Sequence, residues 1–133
     1  MREIVYYRDS KNNLMAIVIP DDYSSSDITF LTDDNSFFQL AYMGHPKNHL
    51  ILPHYHNRVE RTIDYTTETL VIKKGIVQVS LYENKAIIHQ FEAKKGDIVT
   101  LFSGGHSFLG IEDYEMVEIK QGPFMGPNDK TRF

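Results

Sequence analysis

Short segments rich in Val, Ile, Tyr, Phe and Leu, broken every few residues by turn-forming clusters, leave this chain little choice but an all-β fold. Segments 4–8, 14–19, 37–43, 49–56, 68–73, 76–82, 86–91, 97–102, 107–112 and 114–120 read as strands. Between them stand turn signals such as Asp9-Ser10-Lys11-Asn12-Asn13, Lys74-Gly75, Glu83-Asn84-Lys85 and Lys94-Lys95-Gly96-Asp97. Turns spaced roughly 8–12 residues apart are the mark of an antiparallel sandwich or barrel. No long amphipathic helix is visible, and the polar cluster at 21–26 is the one short helical expectation. The 133 residues suit one domain, with N-terminal strands over 1–43, a core over about 44–120 and a tail over 121–133. The prolines and glycines of Gly122-Pro123-Phe124-Met125-Gly126-Pro127 make that tail irregular. A double-sheet or closed form such as a jelly roll manages the exposed sheet edges and leaves an interior for a site.

The run His49-Leu50-Ile51-Leu52-Pro53-His54-Tyr55-His56 carries the first chemical signal. Side chains alternate along a strand, so Leu50, Leu52, His54 and His56 would share one face. Two neighbouring imidazoles can chelate a metal, bind a polar ligand or serve as acid and base. The opposite face, Ile51, Pro53 and Tyr55, is also rather apolar, which points to a central strand or to cover by a second subunit. A homodimer is therefore expected.

The same alternation places Glu68 on one face with Leu70 and Ile72, and His106 with Phe108. A carboxylate among core residues needs a strong partner. His54, His56, Glu68 and His106 thus form a candidate metal-ligand set for a divalent Zn, Mn, Fe or Ni ion. Glu60, four positions after His56, is a rival carboxylate and a candidate acid–base group alongside His54 and His56. Arg58 and Arg61 are candidate ligand-binding residues for a carboxylate or phosphate, and Gln39 for a polar ligand. His45, His49 and His89 read as structural.

The composition removes other chemistries. The chain has no cysteine, so thiolate metal sites, thiol nucleophiles and disulfides are excluded. Its formal charge is −4 with both signs interspersed, and no basic run suggests nucleic-acid binding. No apolar run approaches the roughly 18 residues of a membrane span. Residues 1–8 do not resemble a secretory leader, and a cytoplasmic location is expected.

His54-x-His56, then Glu68 followed by six residues and Gly75, resembles the first motif of the cupins. Gly96, five residues, then Phe102-Ser103-Gly104-Gly105-His106 resembles the second motif approximately. Eleven residues separate His56 from Glu68 where the family has three or four, Gly44 stands nine residues before His54, and Phe102 replaces the usual proline. The stretches Pro53 to His56, Val59 to Thr62, Ser103 to His106 and Val117 to Pro123 resemble small single-domain cupins encoded with cell-surface polysaccharide genes. The resemblance implies a cupin-type double-stranded β-helix, or jelly-roll barrel. It also implies a divalent metal on His54, His56, Glu68 and His106. The implied function is isomerase or epimerase action on a sugar or sugar nucleotide. Metal-free keto-sugar isomerisation by His54 and His56, and ligand binding without catalysis, remain as alternatives.

Overall fold

The computed structural model describes all residues, 1–133. In chain order the strands are β1 (Val5–Arg8), β2 (Leu14–Ile19), β3 (Ile28–Phe30), β4 (Ala41–Met43), β5 (Glu68–Lys74) and β6 (Ile76–Glu83). Then come β7 (Ala86–Lys94), β8 (Ile98–Leu101), β9 (Gly105–Gly110), β10 (Glu115–Lys120) and a single 3₁₀ turn at Gly126–Asp129. The chain divides into two compact units, Met1–Tyr23 with Tyr65–Phe133, and Ser24–Asp64.

The larger unit holds two antiparallel sheets. One has the order β1-β2-β8-β5-β10 and the other β7-β6-β9. Alternation decides which side chains meet. Ala16 and Val18 of β2, Leu70 and Ile72 of β5, and Val99 and Leu101 of β8 come from the first sheet. Val77, Val79 and Leu81 of β6 and Ala93 of β7 come from the second. All are buried in one cluster, with Tyr7, Phe91, Phe108 and Met116 packed at its margin. Two antiparallel sheets sharing a core are the sandwich arrangement. Both sheets end in open edge strands, so they do not close into a barrel. No helix of the chain is long and apolar enough to cross a membrane.

Asp97, fully buried, ties the start of the chain to the β7–β8 turn. Its carboxylate accepts from Lys94 N at 2.9 Å, Asp21 N at 2.8 Å and Arg2 Nη2 at 2.9 Å. Glycine is required at Gly96, where φ is +91° and a Cβ would collide with the Asp21 carboxylate. The expected helical piece at 21–26 is absent; the segment is a turn closed by the Tyr23 N–H donating to Pro20 O at 3.0 Å.

The smaller unit contains one short ladder, β3 against β4, with Thr29 opposite Tyr42. Leu31 N–H donates to Leu40 O at 2.8 Å and extends the pairing inward. From Gly44 onward the unit has no strand or helix. The expected strand at 49–56 is therefore not formed. Pro53 lacks an N–H for a ladder, and no other strand pairs with the run. Leu50 is 69% exposed and Leu52 71%, so neither lies on a core face.

Candidate functional site

Glu68 opens β5 on the same face as Leu70 and Ile72, as alternation predicts. Its neighbours across the ladders are Leu101 of β8 and Lys120 of β10. Only 12% of its side chain is exposed. From the other sheet, β9 presents His106 beside Phe108, their rings 5.5 Å apart. His106 Nε2–H donates to Glu68 Oε1 at 2.8 Å. A charge-assisted bond of that length is among the stronger ones available to side chains. The pair thus bridges the two sheets at one edge of the core.

Electrostatics around Glu68 follow from its partners. The hydrogen bond from His106 is the largest influence and outweighs burial, holding Glu68 at about 2. Glu118 and the charges of His106 and Lys120 act in the same direction. Glu118, on β10, moves the other way. It keeps its proton to higher pH because it donates that proton in a hydrogen bond to Glu68, with burial and the Glu68 charge adding to the effect. Lys120 lies 3.7 Å from Glu118. His106, Glu68, Glu118 and Lys120 therefore form one chain of shared protons and charges. Glu118 and Lys120 were not singled out in the sequence. The signal was the alternation Met116, Glu118, Lys120, which puts both charges on the face that Met116 turns toward the core.

His54 and His56 lie in the smaller unit on the irregular segment after β4. Their rings are 5.6 Å apart and nearly perpendicular. His54 Nδ1 is 2.8 Å from Leu52 O. A carbonyl only accepts, so Nδ1 is the donor in this contact. Arg58, Glu60 and Arg61 are exposed on the same segment. Gln39 braces its own loop: its amide accepts from Thr32 Oγ1 at 2.8 Å and donates to the carbonyls of Asp33 and Ser36 at 3.0 and 2.6 Å. His45 and His49 stack at 4.1 Å, and His89 Nε2–H donates to Arg8 O at 2.7 Å.

Of the sequence-predicted site residues, the structure brings Glu68 and His106 into contact. No group of three or more His, Asp or Glu side chains is gathered closely enough to hold a metal ion. Comparison with protein-family models, curated proteins and solved structures found no match to this chain.

Proposed function

We propose that the protein is a cupin-type, metal-binding protein that acts on a small polar molecule, with Glu68 and His106 at its centre. The observation that carries this reading is the 2.8 Å contact between a carboxylate oxygen and an imidazole nitrogen supplied by different sheets. Glu68 and His106 would each supply one donor to a divalent ion, an oxygen and a nitrogen. Holding an ion would replace the bond they share, with His106 giving up its Nε2 proton and its ring turning from Glu68 Oε1. The donors are nitrogen and oxygen, which suits Zn, Mn, Fe or Ni. The sequence resemblance names His54 and His56 as candidate donors in their own right.

A bound ion supplies Lewis acidity to a substrate carbonyl. The chain's own residues do the rest. Lys120, near Glu118, would attract the negative charge of a substrate. Glu118, whose hold on a proton is strengthened by its hydrogen bond to Glu68, stands one hydrogen bond away. The resemblance points to a sugar or sugar nucleotide and to isomerisation or epimerisation, in a cytoplasmic homodimer.

The direct bond between Glu68 and His106 also favours a second, metal-free reading. A carboxylate that fixes an imidazole's orientation is a common acid–base arrangement. Calorimetric titration of the untagged, chelated protein with Zn, Mn and Ni separates the two. The metal reading expects near-stoichiometric binding with proton release, lost in His106→Ala and in the His54→Ala/His56→Ala double variant. Glu68→Gln should weaken it by at least about tenfold. Metal uptake unchanged in His106→Ala and Glu68→Gln would sink it, and sugar turnover that survives chelation would then select the metal-free reading.

A further inference from the structure

Residues 121–133 leave the end of β10 and cross the end of the larger unit where Glu68 and His106 meet. The base of this segment is fixed, because the N–H of the buried Thr67 donates to Gln121 Oε1 at 2.8 Å. Its middle is loose. Phe124 is 88% exposed and Met125 67%, and a Cβ added at Gly122 or Gly126 would meet nothing within 4 Å. Its far part is fixed again, at two points. Thr66, two residues before Glu68, donates its Oγ1–H to the Asp129 carboxylate at 3.0 Å. The Phe133 ring meets Tyr82 of β6 edge-on at 5.2 Å and lies against Gly105, the first residue of β9.

Each far point thus lies beside one member of the pair, Thr66 near Glu68 and Gly105 next to His106. Lys130 is close enough to Glu118 for its charge to favour the ionised carboxylate there. The segment therefore runs from the sheet that holds Glu68 to the sheet that holds His106. Gly105 shows that the Phe133 contact is built in. Its φ lies outside the positive range taken by Gly75, Gly96, Gly104 and Gly126, so the backbone does not call for glycine there. Space does, since a Cβ would stand 2.9 Å from Phe133 Cζ and 3.1 Å from Tyr82 Cβ. The ring takes the room that a side chain at the start of β9 would fill.

We propose that residues 121–133 are a releasable clasp that holds the Glu68–His106 pair closed. Phe133 presses on the residue before His106, and Asp129 holds the approach to Glu68, so the pair stays in contact while both points are made. A segment held by a few side-chain contacts opens at far lower cost than strands laddered over a buried core. Release frees the start of β9, and the His106 ring can then turn from Glu68. The functional meaning of the clasp rests on the reading of that pair as the centre of the protein, but its test needs neither metal nor substrate.

Carbethoxylation of the untagged, chelated full chain with diethylpyrocarbonate, followed at each histidine by peptide mass spectrometry, measures how often the pair opens. His106 should react slowly in the unaltered protein. Phe133→Ala should raise its rate roughly fivefold, and Asp129→Ala should raise it by about the same factor. His89, bonded to Arg8 O, is the internal reference and should react alike in every variant. Asp129 and Phe133 are both exposed, so the melting temperature should move little. A His106 rate unchanged in both variants would overturn the clasp. A rise shared equally by His89 would also overturn it, because the change would then be a general loosening. Metal uptake, measured separately, decides the reading of the pair and leaves this result as it stands.

Discussion

At the scale of single residues, the ionisation of Glu68 has a measurable consequence for stability. A carboxylate held at about 2 in the folded state, well below its ordinary value of 4.5, stabilises the fold wherever it is ionised. That contribution is complete above about pH 4.5 and is lost as the pH falls toward 2. Its size is on the order of 2–3 kcal/mol, reduced by Glu118, whose raised value has the opposite sign and weakens the fold as pH rises. Urea unfolding of the chelated protein at stepped pH should show stability falling through this window, and Glu68→Gln should flatten the fall. Equal slopes in the two proteins would mean that the bond with His106 contributes nothing. The inward orientation of Glu68 was legible, because Leu70 and Ile72 share its face. Its link to Glu118 was not, because no local pattern says that β10 pairs with β5.

At the scale of elements, turn chemistry and alternation located most strands, while tertiary contacts determined the exceptions. Lys74-Gly75 and Glu83-Asn84-Lys85 mark the ends of β6, and Gly75, Asn84 and Lys85 all take positive φ there. The run at 49–56 misled for a physical reason. Its apolar residues satisfy a strand pattern on both faces, yet Pro53 has no N–H to give and no neighbouring strand accepts the rest. The three-residue β3 was too short to show an alternation at all. Asp97 is the element-scale counterpart of Glu68, since one carboxylate joins the β7–β8 turn, residue 21 and Arg2. Asp97→Ala leaves the N–H groups of Lys94 and Asp21 without their acceptor and Arg2 without its buried partner. The cost should be about 3 kcal/mol, measured as a drop in the midpoint of chemical unfolding. Asp97→Asn should lose less, because its amide oxygen still accepts. Equal losses in the two variants would show that the charge and the second acceptor oxygen, rather than space filling or a single acceptor, are what matter there.

At the scale of the whole molecule, the two units differ in what their backbones are bonded to, and that difference predicts how they open. Amides within β2, β5, β6 and β8 donate to neighbouring strands over a buried apolar cluster, so the core they form opens only with the unit as a whole. Residues 45–64 belong to no ladder, and their one backbone closure between near neighbours is His49 N–H to Pro46 O at 3.2 Å. Leu50, Ile51 and Leu52 are exposed, so no apolar burial compensates for the missing bonds. Hydrogen exchange should therefore divide the chain sharply. Amides over 45–64 should exchange near the rate of an unstructured peptide, and those of β5 should exchange at the global unfolding limit. The outcome bears directly on chemistry, because His54 and His56 lie in the fast segment and Glu68 in the slow one. A pair of imidazoles on a loosely held backbone loses conformational freedom on binding any ligand, and its affinity falls accordingly. Protection across 50–56 comparable to that of β5 would show instead that the run is laddered, and would restore the strand its alternation describes.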